Sequence, residues 1–149
     1  MSIQNTVERL HHLCNLIPPL LHNIGETDFS VKPGPCKWSK KQILGHLIDS
    51  ATNNHQRFVR AQFEHIPVIH YDQDQWNKFS YHEYMKKADL IEMWKVYNRY
   101  LLEIIKRIPS HLLSNPCKTG GTEPVSLAFV IEDYVKHLEH HLRQIVSYR

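Results

Sequence analysis

Histidine is abundant in this sequence, with 12 among 149 residues. Three of them, His137, His140 and His141, lie in the stretch VKHLEHHLRQI near the C-terminus. Residues four apart on a helix project from the same face, so His137 and His141 could bind one metal ion together. His140 lies about 100° around the helix from His141 and should face another direction. At this histidine frequency about one such pair arises by chance, so a metal site needs a third ligand from elsewhere.

A second helical stretch offers that third ligand. In KWSKKQILGHLIDSATNNHQRF, the polar residues His46, Ser50, Asn53 and Arg57 follow the spacing i, i+4, i+7 and i+11, which is a line along a helix. Apolar residues flank this line, and a polar line beside core-facing residues is costly to bury unless each group finds a partner. The pattern favours a wet or metal-lined cavity inside a helical bundle, although a solvent-facing strip would show the same spacing.

Together the two helices would supply His46, His137 and His141 as three neutral nitrogen donors. Three protein ligands with one open position are typical of catalytic rather than structural zinc. A metal ion in such a site lowers the pKa of bound water towards 7 and so produces hydroxide at neutral pH. Imidazole also suits nickel, copper and iron(II); we expect one divalent ion, with zinc or nickel favoured.

Other polar residues could support this site. Asn53 and Arg57 could bind an anionic or carbonyl group near the metal, although Arg57 could equally pair with Asp72 or Asp74. Asp49 and Asp133 could orient ligand imidazoles by accepting their second N–H groups.

Three aromatic residues lie close to these segments. Trp38 precedes the second helix, and we expect it to pack as a hydrophobic staple against the first turns. Tyr71 and Trp76 belong to a long connection, HYDQDQW, where core packing explains aromatic residues less easily. They are expected at the mouth of the pocket or in a dimer contact.

The elements that would position these residues are four long helices. Apolar residues at helical spacing predict them over residues 2–22, 39–64, 88–108 and 126–147. Pro18 and Pro19 should end or kink the first helix, while Ser39 and Ser126 are the expected N-caps of the second and fourth. No alternating pattern of useful length predicts a strand. The sequence therefore predicts one all-α domain over residues 1–149, a four-helix bundle with long crossover loops.

Composition narrows the classes of function. The three cysteines are far apart and form no Cys-x-x-Cys pair, which suits a reducing compartment. No signal peptide and no apolar run of membrane-spanning length is visible. The formal charge is only +3, with 18 basic residues dispersed among 15 acidic ones, so a nucleic-acid partner is not expected. We expect a cytoplasmic protein that acts on a small molecule.

The quoted second-helix stretch, followed in order by PVIHYDQDQW, MWKVYNRYL and IEDYVKHLEHHLRQI, resembles the DinB/YfiT-like superfamily over residues 38–145. The resemblance implies a four-helix bundle with a divalent metal on a histidine triad, which falls on His46, His137 and His141. His140 matches a histidine that often stands beside the ligands in this family. The resemblance also implies a homodimer, and its members are often assigned as metal-dependent hydrolases.

Three functions are compatible with these observations. The first is a hydrolase that uses the metal to activate water against a small substrate. The second is a transferase that activates a low-molecular-weight thiol, because a metal-bound thiol is deprotonated as readily as water. The third is a non-enzymatic stress or interaction protein in which metal is absent or only structural.

Overall fold

The computed structural model describes residues 2–149 and is built around four long helices. They are α1 (Ile3–His22), α3 (Lys40–Arg60), α5 (Lys87–Ile105) and α6 (Leu127–Ile145). A short helix α2 (Glu26–Ser30) lies between α1 and α3, and α4 (Gln73–Phe79) lies between α3 and α5. Turns of 3₁₀ helix span His82–Tyr84 and Ser110–Leu112. Strands β1 (Pro116–Cys117) and β2 (Val125–Ser126) pair antiparallel ahead of α6.

The helices that carry the histidines begin at well-formed caps. The hydroxyl of Ser39 accepts the N–H of Gln42, and the side chain of Gln42 accepts the N–H of Ser39, which completes a capping box at the start of α3. Ser126 accepts the N–H of Phe129 in the same way at the start of α6. Both N-caps predicted from the sequence are confirmed.

The order in which the long helices pack departs from a simple up-and-down bundle. Helix α1 packs against α5 and α6, and α3 packs against the same two helices. Consecutive long helices α1 and α3 are therefore diagonal neighbours, as are α5 and α6. The connections 23–39 and 106–126 join diagonal helices, so the predicted four-helix bundle with long crossovers is confirmed.

Helix ends differ from the prediction by up to four residues. The predicted span 2–22 of α1 is confirmed to within one residue; Pro18 and Pro19, expected to end or kink the helix, do not end it, and the helix continues to His22. It continues because the turn beyond the prolines buries Leu21 completely, which offsets the loss of backbone hydrogen bonds. Helix α3 ends at Arg60, short of the predicted residue 64, and α5 ends at Ile105, short of 108. The two-residue strands were missed because they are too short to show alternation.

The bundle core consists of apolar side chains from all four long helices, among them Leu13, Leu47, Trp94 and Leu138, each at most 1% exposed. Within residues 2–149, no helix is both long and apolar enough to cross a membrane.

Candidate metal centre

Three histidines from two neighbouring helices meet beside the core. His46 is fully buried on α3, and His137 and His141 are partly buried on α6. The Nε2 atoms of His46 and His137 are 3.2 Å apart, and one nitrogen from each of the three rings lies within 4.8 Å of the others. Two nitrogens bound to a tetrahedral zinc ion at about 2.05 Å stand about 3.4 Å apart. The spacing of these side chains therefore fits a small divalent ion.

All three imidazoles are held neutral. Burial, followed by the neighbouring histidines, lowers the pKa of His46 from 6.5 to about 3. Burial is also the largest cause for His137, whose pKa falls to about 4, and it lowers the pKa of His141. Protonated imidazoles cannot bind a metal, so these shifts leave three donor nitrogens available at neutral pH.

The surroundings orient two of the rings. The Nδ1 atom of His141 lies 2.9 Å from the side-chain oxygen of Gln144, one turn further along α6. When Nδ1 carries the proton of this bond, the Nε2 lone pair of His141 is free for a ligand. The indole of Trp38 packs against His46, with ring centroids 5.0 Å apart. Trp38 therefore touches the triad itself, a contact that the predicted hydrophobic staple did not anticipate.

The two aspartates expected to orient the triad lie elsewhere. Both carboxylate oxygens of Asp49 are 3.1 Å from Nε2 of His82, and Oδ1 also accepts the hydroxyl of Ser80 at 3.3 Å. Asp133 is exposed and makes no hydrogen bond to a triad imidazole in residues 2–149. Within residues 2–149 neither aspartate is hydrogen-bonded to a triad imidazole, so the expectation that they orient the ligands was wrong.

The pair formed by His82 and Asp49 is the main feature that sequence reasoning missed. Both residues are at most 4% exposed, and His82 occupies the space beside α3 that a side chain at Gly45 would fill. The preceding residue, Tyr81, has a left-handed backbone with φ 55°, which is uncommon for a residue other than glycine. A glycine within a helix pattern indicates close approach of another group, and Gly45 was therefore the available signal.

Asn53 and Arg57, further along the polar line on α3, form hydrogen bonds with other groups of the protein. The side-chain amide of Asn53 donates to the backbone oxygen of Asp49 at 2.9 Å. Arg57 donates from Nε and Nη2 to the backbone oxygen of Ile69, at 3.1 and 2.8 Å, and from Nη1 to Asn54 at 3.3 Å. It does not pair with Asp72 or Asp74. The predicted contact of Asn53 and Arg57 with a substrate stays a prediction.

Arg57 thereby fixes the connection that follows α3. In that connection, Ile69 donates its N–H to the backbone oxygen of Lys118, and Lys118 donates to that of Pro67, both at 2.9 Å. Ile69, two residues before Tyr71, is therefore fixed by the guanidinium of Arg57 on α3 and by the backbone hydrogen bonds with Lys118.

We expect Arg57→Lys to destabilise the protein by about 1–2 kcal/mol, because an ammonium group cannot reproduce the two-pronged contact with one carbonyl. Urea unfolding measures the loss, and hydrogen exchange at the amides of Ile69 and Lys118 should become faster. The control is Arg107→Lys at an exposed ion pair with Glu103, where a change within about 0.5 kcal/mol is expected. Equal losses of stability in Arg57→Lys and Arg107→Lys would contradict the role of Arg57 in fixing the segment at Ile69.

A cleft of about 550 Å³ opens beside the triad. His141 and Gln144 line it together with Trp38, Cys36 and Asp74. This volume lies within the range of about 300–1,000 Å³ that is typical of small-molecule sites. Tyr71 and Trp76 pack edge to face at 5.8 Å between ring centroids.

The curated proteins with similar sequences include several that are named as metal-dependent hydrolases. Two relatives named "Putative metal-dependent hydrolase", from Bacillus mycoides strain KBAB4 and Bacillus cereus strain ATCC 10987, are each 23% identical over 150 residues. In both cases the match covers 99% of this chain and 85% of the relative.

Solved structures show the same fold. YfiT from Bacillus subtilis, described as a "probable metal-dependent hydrolase with an unusual four-helix bundle topology", matches with a TM-score of 0.86 and 17% identity. The match covers 96% of this chain and 83% of YfiT. A mycothiol-dependent maleylpyruvate isomerase matches with a TM-score of 0.80 and 9% identity, over 99% of this chain and 62% of the isomerase. The model of the DinB superfamily matches residues 9–145, and the chain therefore belongs to that superfamily.

Proposed function

We propose that this protein is a metal-dependent hydrolase that binds one divalent ion, zinc or nickel, through His46, His137 and His141. The observation that carries the proposal is the convergence of three neutral imidazoles from α3 and α6 within 4.8 Å of one another, beside an open cleft. The names of the curated relatives support the hydrolase class.

The protein contributes three imidazole nitrogens that are already close together and unprotonated before a metal ion binds. A bound divalent ion supplies Lewis-acid chemistry, which activates water at neutral pH or polarises a substrate oxygen. Burial keeps His46 and His137 unprotonated, so they need not lose protons before they bind the ion. Gln144 holds the ring of His141, and the cleft beside it has room for a small substrate. Within residues 2–149 the cluster offers three ligands, which leaves a position for a reactant on a four-coordinate ion.

A second candidate is metal-dependent transfer of a low-molecular-weight thiol. The structural match to a mycothiol-dependent isomerase favours it, since that protein combines the same fold with a thiol cofactor. The two candidates share the triad and differ in the nucleophile. Turnover of a panel of small esters and amides without thiol would support hydrolysis, and turnover that requires an added thiol would support transfer.

We expect wild-type protein, purified without tag or chelator, to contain close to one equivalent of one divalent metal by plasma mass spectrometry. His137→Ala removes one of three ligands and should lose the metal. His140→Ala removes an exposed histidine that lies outside the triad and should retain it. Wild type that neither contains nor takes up a metal would contradict the proposal, and so would equal metal content in wild type and His137→Ala.

The homodimer implied by the family resemblance stays a prediction, as does the cytoplasmic location. The same holds for the expected absence of a nucleic-acid or membrane partner.

A further inference from the structure

A second cavity, of about 630 Å³, lies between α3, α5 and the 3₁₀ turn that precedes α5. Four of the side chains that line it are aliphatic: Ile48, Met85, Leu90 and Met93. Its polar lining comprises Ser80, His82 and the oppositely charged Lys86 and Asp89. None of its lining residues lines the cleft beside the triad, so the two cavities are separate. The volume is again typical of small-molecule sites.

Two polar side chains of this cavity are held by one carboxylate. Nε2 of His82 lies 3.1 Å from both oxygens of Asp49, and Ser80 donates its hydroxyl to Oδ1 of the same residue at 3.3 Å. Between them, Tyr81 has a left-handed backbone, a conformation that is unfavourable for a residue with a side chain. The positions of His82 and Ser80 at the cavity are therefore fixed from α3.

The imidazole of His82 has one nitrogen that is not used. Its Nδ1 atom is buried and has no hydrogen-bond partner among residues 2–149. The carboxylate of Asp49 can only accept, so Nε2 carries the proton, and Nδ1 of the neutral ring is an acceptor. A Cβ at Gly45 would lie 2.3 Å from Cδ2 of His82, so the edge formed by Cδ2 and Nε2 faces α3 and Nδ1 lies on the other edge. A buried acceptor without a donor is costly.

We propose that the cavity between α3 and α5 binds a small molecule with an apolar body and a hydroxyl or N–H group, and that this group donates a hydrogen bond to Nδ1 of His82. The aliphatic lining would contact the apolar body. Asp49 acts through His82 as a positioning residue. A histidine that only tied the turn to α3 would explain the contact with Asp49, but it would leave the unused nitrogen beside a cavity unexplained. The inference does not need a metal at the triad and goes beyond the proposed function.

The first test compares two probes that differ in one hydrogen-bond donor. Calorimetric titration at pH 7 measures the binding of 2-naphthol and of its methyl ether, 2-methoxynaphthalene, to the wild-type protein. The two share one ring system, and only the naphthol has an O–H group. We expect the dissociation constant of the ether to be higher by about tenfold or more. His82→Gln keeps an amide that can donate to Asp49 and removes the Nδ1 acceptor, so the preference for the naphthol should disappear.

The second test locates the binding site. Met93→Trp places a larger side chain in the lining and should weaken the binding of 2-naphthol by about tenfold or more. Val96→Trp is the matched control, because Val96 is on the same helix and does not line the cavity. The two residues are similarly accessible, with 48% of Met93 and 51% of Val96 exposed. Val96→Trp should bind 2-naphthol as wild type does.

Each part of the inference can fail in these tests. The cavity is not the site if wild type does not bind 2-naphthol, or if Met93→Trp binds it as tightly as wild type does. The contact with His82 is wrong if wild type binds both probes equally, or if a folded His82→Gln keeps the preference. If His82→Gln does not unfold cooperatively in urea, the comparison of the two probes in wild type decides the contact. Since no result depends on a metal, the proposed function and this inference fail separately.

Discussion

Gly45→Ala should destabilise the protein by about 2–4 kcal/mol. A Cβ atom at this position would lie 2.2 Å from Cγ and 2.7 Å from Cβ of His82. These atoms are near the backbone of His82, so the ring cannot swing away as the end of a long side chain could. The displacement would break the contact between His82 and Asp49 and leave a buried carboxyl with Ser80 as its remaining side-chain partner. Alanine gains about 1 kcal/mol over glycine within a helix, which offsets only part of this cost.

Urea unfolding of four variants would test this account of Gly45. Gly121→Ala is the control, because its nearest atom would be 4.0 Å away, and a change within about 0.5 kcal/mol is expected. The double variant Gly45→Ala with His82→Gly should be no less stable than His82→Gly alone, since no side-chain atom of residue 82 remains to meet the new methyl group. Additive losses of stability from Gly45→Ala and His82→Gly would contradict the explanation that Gly45 makes room for His82.

The sequence predicts the fold well because the helices carry regular apolar stripes and clear caps. Ser39 and Ser126 mark helix starts through their neighbours alone, and local signals of this kind need no tertiary context. Pro18 and Pro19, which were expected to end or kink α1, do not end it, and the reason lies outside the local sequence. The local cost of proline in a helix is visible in the sequence, whereas the burial of Leu21 that outweighs it depends on how α1 packs.

In the candidate site, too, some residues could be predicted from local spacing, whereas others depend on tertiary contacts. The line from His46 along α3 and the pair on α6 follow from helical spacing, and the structure brings those three rings together. The partner of Asp49 could not be predicted, because His82 is 33 residues away and reaches α3 through a left-handed turn at Tyr81. Arg57 was expected to bind a substrate or a carboxylate. It bonds to the backbone oxygen of Ile69 and the side chain of Asn54 rather than to Asp72 or Asp74, and a backbone partner cannot be recognised from residue types. Its contact with a substrate stays a prediction.

The metal-free protein should lose stability as pH falls from 7 to 5, by about 2 kcal/mol through His46 and about 4 kcal/mol when His137 is included. In the unfolded chain both residues titrate near 6.5, whereas the folded values are about 3 and about 4. At pH values between the folded and unfolded pKa, the unfolded state binds more protons than the folded state. Lowering the pH in this range therefore stabilises the unfolded state relative to the folded state. The loss begins near pH 6.5 and continues until the folded histidines themselves accept protons.

Urea unfolding at pH 7 and pH 5, with a chelator present, measures this loss. His46→Gln removes one buried titrating group, so its difference between the two pH values should be smaller than that of wild type by about 2 kcal/mol. His111→Gln, at an exposed histidine on a 3₁₀ turn, should leave the wild-type difference unchanged. If metal-free wild type were equally stable at both pH values, the triad would be protonated or open to water in the folded protein. A metal ion would then have to displace protons from histidines that the fold had not prepared.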